Sequence, residues 1–288
     1  MENTITNTMT NTNTDKKYIV LSGGGIRGIA HIGALYALEK LDVLKHITHF
    51  AGTSVGSLII GLYVIGYTPI ELYEFIKVFN FKEVKHIDIN NIPNFGLDTG
   101  SKMEYVIKRL IVNKGLNENI TLQELYNITK KHLIFTTVCI NTIQACYISH
   151  EEYPQMELSK VIMMSLAIPI IFCPIIYENN MYVDGGCLDN FPICVFQNNI
   201  KETIGIIIID STDRVEINDF ETYLFRVVKC IGHGLHGSYK LHKHYINSTI
   251  EINANFVDST DFDIENSVKD ELFLIGYDAI VNNLEKLV

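Results

Sequence analysis

Residues 18–28 read Tyr-Ile-Val-Leu-Ser-Gly-Gly-Gly-Ile-Arg-Gly, and residues 48–56 read Thr-His-Phe-Ala-Gly-Thr-Ser-Val-Gly. Each stretch is a short apolar run, then a glycine turn, then residues with helical spacing. Ile32, Leu35, Tyr36 and Leu38 mark a helix over 29–40, and the apolar run 54–66 marks a second. Strand, turn and helix twice in succession predict an α/β fold with a largely parallel sheet.

Working outward, Pro69 opens a helix with Leu72, Phe75, Ile76 and Phe79 on one face. Residues 80–100 mix Asn, Asp, Ile and Pro without a period and read as a loop or cap. Helices are expected at about 101–112 and 121–131, the second opened by the capping-box pattern Thr121-Leu-Gln-Glu124. Residues 133–141 and 145–149 read as a strand pair, 157–166 as a helix, and 174–183 as a hairpin turning at Asn179-Asn180. The β-branched run Thr203–Ile209 reads as a strand buried on both faces. A long helix at about 218–245, a strand at 248–252 and a helix at 267–286 complete the chain. Residues 1–16, rich in Asn and Thr, read as a disordered polar tail, and 17–288 as one domain.

Composition narrows the function. The chain has 288 residues, 47% hydrophobic and 19% charged, with a formal net charge of −10. An acidic chain without a Lys/Arg cluster is a poor nucleic-acid binder and is weakly drawn to anionic membranes. Membrane contact is therefore expected to be hydrophobic and transient. No signal peptide is visible, and the apolar runs 58–65 and 161–177 are too short or too proline-broken to span a bilayer. The expected location is intracellular, cytoplasmic or peripheral to a membrane. The six cysteines show no CxxC pair or zinc spacing and mostly sit in apolar runs, as reduced core thiols do.

Three motifs carry chemistry. Gly23-Gly24-Gly25-Ile26-Arg27-Gly28 joins a strand to a helix, so free N–H groups and the helix N-terminus can receive a phosphate or an oxyanion. Its glycines also spell a dinucleotide-binding pattern. That reading requires an acidic residue at the end of the second strand, where this chain has Ala51-Gly52-Thr53-Ser54. Gly52-Thr53-Ser54-Val55-Gly56 fits the nucleophile elbow G-x-S-x-G, which exposes Ser54 Oγ on a sharp strand-to-helix turn. Asp184-Gly185-Gly186 ends the predicted hairpin. Alone it reads as a tight turn, but a serine nucleophile needs a base, and a carboxylate held by glycines can supply one. A Ser-His-Asp esterase would draw on His233, His236, His242 or His244. These fall within one predicted helix, and the elbow follows only the second strand. His31 reads as a packing residue.

The order and spacing of these motifs resemble the patatin-like phospholipase family. So do Ser165-Leu-Ala-Ile-Pro169-Ile-Ile-Phe172-Cys-Pro174, Gly96-Leu-Asp-Thr-Gly100 and the segment 258–277, and the resemblance runs over roughly 17–281. It implies a three-layer sandwich, with a mostly parallel central sheet flanked by helices, and a Ser-Asp dyad without histidine. Ser54 would be the nucleophile and Asp184 the base. Gly24 and Gly25, with Gly23, would form the oxyanion hole, and Arg27 would either add positive potential or brace the loop. Gly28, Gly52, Gly56, Gly185 and Gly186 would be supporting motif positions. The expected substrate is a lipid ester, with no metal or organic cofactor implied. A non-catalytic lipid-binding protein that kept the fold is the alternative from another class.

Overall fold

The computed structural model describes residues 15–84, 86–209, 216–217, 222–223, 226–227, 230, 243–259 and 261–287. An eight-stranded mixed sheet runs through these residues in the order β10-β9-β1-β2-β4-β8-β7, with β5 paired to β4. The strands are β1 (Tyr18–Leu21), β2 (His49–Thr53), β3 (Gly96–Asp98), β4 (His132–Cys139), β5 (Gln144–Ile148), β6 (Ile170–Phe172), β7 (Ile175–Tyr177), β8 (Asn180–Asp184), β9 (Thr203–Ile209) and β10 (Thr249–Asn253). β10, β9, β1, β2 and β4 are mutually parallel, whereas β5 and β8 run antiparallel to β4.

The side-chain period of two splits each central strand between two cores. Ile19, Leu21 and Phe50 face the larger core. It is filled by α1 (Ile29–Lys40), α2 (Val55–Val64), α3 (Pro69–Val78) and their neighbours. Val20, Ala51 and Ile207 face a smaller core closed by Phe191, Ile193, Phe196 and Tyr245. The layers are thus helices, sheet, and a second cover of 3-10 turns over Ile193–Glu202 together with the short helix Lys243–Ile246. Thr203–Ile209 is buried along nearly its whole length between them, as its unbroken β-branched run predicts.

The remaining α-helices among the described residues are α4 (Phe81–Val84), α5 (Ser101–Asn113), α6 (Leu122–Thr129), α7 (Leu158–Leu166), α8 (Lys243–Ile246) and α9 (Asn266–Val281), of which α5, α6, α7 and α9 match their sequence signals. The capping box holds at α6: Thr121 Oγ1 accepts from the Glu124 N–H, and the Glu124 carboxylate accepts from the Thr121 N–H. Three readings change. Residues 80–100 are not a plain loop: they hold α4, a 3-10 turn (Ile89–Asn94) and β3, which pairs in parallel with β6. The hairpin between β7 and β8 turns at Glu178-Asn179, both at positive φ, one residue before the expected pair. Of the cysteines only Cys139 and Cys173 are buried, and Cys194 and Cys230 are exposed; all six are free.

The expected tail lies largely outside the described residues. Lys16 belongs to the folded body, buried with its ammonium donating to Lys201 O at 2.8 Å. Most of the long helix predicted at 218–245 also lies outside the described residues. No helix among the described residues is long and apolar enough to cross a membrane.

Candidate active site

β1 and β2 are adjacent and parallel, so the turns that follow them emerge side by side at the carboxyl end of the sheet. The first turn is the glycine loop and the second the elbow. Ser54 sits at φ 53°, ψ −123°, a conformation side chains rarely adopt, at the N-cap of α2. This backbone aims its side chain away from the helix axis and into the site. Gly56 permits the turn, because a Cβ there would stand 2.5 Å from Leu21 O. Gly52 packs as closely against the Gly56 backbone, and Gly28 against Val55.

The elbow is held by a buried serine relay. Ser165 Oγ donates to Thr136 O at 2.7 Å and accepts from the Ser54 N–H at 2.9 Å. Ser57 Oγ lies 2.8 Å from Ser165 Oγ and 2.8 Å from Gly52 O. Ser165 stands in the proline-containing block that bears the family resemblance, but a lone serine there gave no sign of this job.

β4 brings the second residue of the pair into place. Residues 135–139 of β4 pair with β5 on one edge. The other edge is shared: β2 takes 132–136, ending at Thr53 opposite Thr136, and β8 takes 137–139, with Asp184 opposite Thr137. Ser54 and Asp184 therefore emerge next to each other from strands that arrive from opposite directions. The Gly186 N–H donates to Asp184 Oδ1 at 2.7 Å, and the Ser54 side chain lies close enough to Asp184 to favour its carboxylate form. Gly185 lets the chain pass close under Thr136, where a Cβ would stand 2.5 Å from Thr136 O. Burial pushes the Asp184 carboxyl up to about 6, against the pull of Ser54 and of the Gly186 hydrogen bond.

The segment after Asp184 ties the site together. Thr53 Oγ1 donates to Asp189 O at 2.9 Å, and the Gly23 N–H donates to Asn190 O at 3.0 Å. Tyr147 Oη donates to Asp189 Oδ2 at 2.7 Å, and the Phe191 N–H to Asp189 Oδ1 at 3.2 Å. One dipeptide thus clamps both the elbow and the glycine loop. Sequence reading missed it because Asp and Asn in a turn are unremarkable.

In the glycine loop the three expected donors are unequal. The Gly23 N–H is committed to Asn190 O and so is not free to receive an oxyanion. Gly24 and Gly25 N–H groups have no partner among the described residues. Gly25, at φ 58°, has no room for a side chain: a Cβ would lie 2.0 Å from Ser259 O. Arg27 is buried, with Nε donating to Gly24 O at 3.4 Å and Nη1 to Ile209 O at 3.2 Å, so it braces the loop against the end of β9. His31 is a buried brace of the same loop. Its Nε2 donates to Ser22 O at 2.9 Å, and burial lowers it to about 4, which keeps the ring neutral. His233, His236 and His242, and the side chain of His244, lie outside the described residues.

An apolar cavity of about 140 Å³ opens onto Ser54 and Gly25. Every other lining residue is hydrophobic; most come from α1, α2, α3, α5 and α7, with Phe79, Phe81, Phe172 and Phe262 among the rest. Val55, Leu58, Ile59 and Leu62 form one stripe of α2 that lines the cavity progressively farther from Ser54.

The model of the patatin-like phospholipase family matches residues 19–196. An uncharacterized protein of Acanthamoeba polyphaga mimivirus is 28% identical over 94% of this chain and 95% of its own length. A "Probable lipid hydrolase" of Invertebrate iridescent virus 6 is 37% identical over 62% of this chain and 62% of its own. Among solved structures, VipD from Legionella pneumophila superposes with a TM-score of 0.65 at 17% identity, covering 97% of this chain and 70% of that one, a likeness of fold. With its glycine loop, elbow and D-G-G turn converging at one end of the sheet, the chain belongs to the patatin-like phospholipase family.

Proposed function

We propose that this lipid acyl hydrolase cleaves carboxylic esters through an acyl-Ser54 intermediate, with Asp184 as general base. The acyl chain lies in the apolar cavity with its carbonyl at Ser54. Ser54 Oγ attacks the carbonyl carbon and gives its proton to Asp184. The oxyanion is received by the N–H groups of Gly24 and Gly25, aided by the positive end of α2. Asp184 then protonates the leaving alcohol, takes a proton from water as the hydroxide attacks the acyl-enzyme, and returns that proton to the departing Ser54 oxygen. A carboxylate is a weak base at its ordinary pKa; the upward shift of Asp184 brings it nearer the working range.

The observation that carries this reading is the cavity, whose lining is apolar apart from Gly25 and a strained serine that stands beside a buried carboxylate. A non-catalytic lipid binder would bind lipid equally well without Ser54 Oγ. The test is hydrolysis across a lipid panel by the wild type, Ser54→Ala and Asp184→Asn. Turnover lost in both variants, with the fold retained, supports the reading, whereas turnover retained by Ser54→Ala sinks it.

Contact with the lipid surface is assigned to the segment after α4. Ile87, Ile89, Ile92 and Phe95 are all exposed there, while Leu97 is half-buried in β3. The segment sits against the cavity on both sides: Phe81 lines it in α4, and Phe172 lines it in β6, the partner of β3. Four exposed apolar side chains beside the mouth fit insertion into a lipid surface better than a packed loop.

A further inference from the structure

We propose that His132, His150 and Glu151 bind one divalent transition-metal ion of the zinc class, at the end of the sheet remote from Ser54. One ligand atom from each residue lies within 4.8 Å of the other two. His132 Nδ1 is 3.7 Å from Glu151 Oε1. Ligand atoms on a tetrahedral zinc ion stand roughly 3.4 Å apart, so closing the site takes about an ångström of movement. Glu151, whose side chain is exposed, can adjust toward the two rings.

The two imidazoles are already fixed. His150 is buried and stacks on Tyr126, with ring centroids 4.0 Å apart and planes 13° apart. His132 stacks on His49 at 4.3 Å and 8°. Metal sites of moderate affinity rely on rings held in place in this way, since the ion then orders few groups.

Strand register explains why these three residues meet. Phe135 pairs with Ile148 in the antiparallel β4–β5 ladder. Continued by three residues, that register sets His132 opposite Glu151. The ladder stops short of this, and the ion would cross-link the two strands where their hydrogen bonds end. Two nitrogens and one carboxylate oxygen form a donor set that suits zinc, with a fourth position left for water. His49 and His132 begin β2 and β4, whereas Ser54 follows the last residue of β2. Strand rise puts about 13 Å between the two ends, so the ion takes no part in ester cleavage and acts as a staple.

The test uses the full chain, freed of metal with a chelator. Zn2+ is titrated against a chromophoric competitor, and Co2+ is titrated by visible absorption. The expected result is one ion held at this site, with a Co2+ spectrum lacking thiolate charge transfer, which separates it from the six cysteines. His132→Ala and His150→Ala should each weaken binding about 100-fold or more, and Glu151→Gln about 10-fold. Zn2+ should raise the Tm of the wild type and leave that of His132→Ala unchanged. Glu151 is exposed, so its variant tests the site even if His150→Ala fails to fold. Absence of binding in the wild type, or binding unchanged in His132→Ala and Glu151→Gln, overturns the proposal.

Discussion

Asp184 pairs with Thr137 in β4, one residue beyond Thr136, the partner of Thr53. That single step of register places the proposed base beside the proposed nucleophile, although the two are far apart in sequence. β4 acts as a splint: a parallel strand delivers Ser54 to its edge and an antiparallel one delivers Asp184. Shifting either strand by one residue would turn its side chains to the opposite face and separate the pair.

The pH profile follows from the buried carboxylate. Asp184 must be ionised to accept a proton, and burial sets its pKa at about 6. kcat/KM should therefore rise with pH through a midpoint near 6, measured on a soluble ester under conditions where folding is intact. A midpoint near the ordinary aspartate value would remove Asp184 from the base role.

The same shift predicts a stability effect of opposite sense. A carboxyl whose folded pKa lies above its unfolded value adds stability below the unfolded value and loses it as pH rises through the folded one. Asp184→Asn should therefore gain Tm over the wild type at pH 8, and the gain should shrink towards pH 4. The upper bound is on the order of 3 kcal/mol. An equal Tm difference at both pH values would contradict the shift.

Ser165→Ala removes the hydroxyl that receives the Ser54 N–H and bonds Thr136 O. Losing buried partners costs roughly 1–3 kcal/mol. The strained elbow should relax, with kcat falling on the order of 10- to 100-fold and KM changing little, as expected for misplacement of a reacting group. A pure KM effect would place Ser165 in substrate binding instead.

Much of this was legible in the sequence. The glycine loop and the elbow are local: strand, turn and helix follow each other within a dozen residues, so pattern alone locates them. Ser54 stands on that pattern. Asp184 does not, because its role depends on the β4 register, which no local window contains. Ser165 and the Asp189-Asn190 clamp are invisible for the same reason, since each bonds to a partner more than a hundred residues away. Gly23 was grouped with its neighbours because composition cannot tell a free N–H from a bonded one.

The α2 stripe predicts chain-length selection. Leu62 lies eight residues beyond Ser54, about 12 Å along the helix, and lines the cavity. Leu62→Trp should sharply reduce hydrolysis of long-chain esters and spare short ones. Equal losses on both would show that the acyl chain lies elsewhere.

Exposed apolar residues near the mouth predict a surface effect. Ile92→Asp combined with Phe95→Asp should cut binding to lipid vesicles about 10-fold or more, because each substitution replaces apolar surface by charge. Hydrolysis of a monomeric soluble ester should stay within about twofold of wild type. Equal damage to both activities would place these residues in the fold rather than at the lipid surface.

The central claim is most directly tested by trapping. Treatment with a long-chain fluorophosphonate, followed by intact-mass and peptide-mass analysis, should give one adduct per chain, located on Ser54. Labelling should be absent in Ser54→Ala and strongly slowed in Asp184→Asn. An adduct on another residue, or unchanged labelling of Asp184→Asn, would contradict the account.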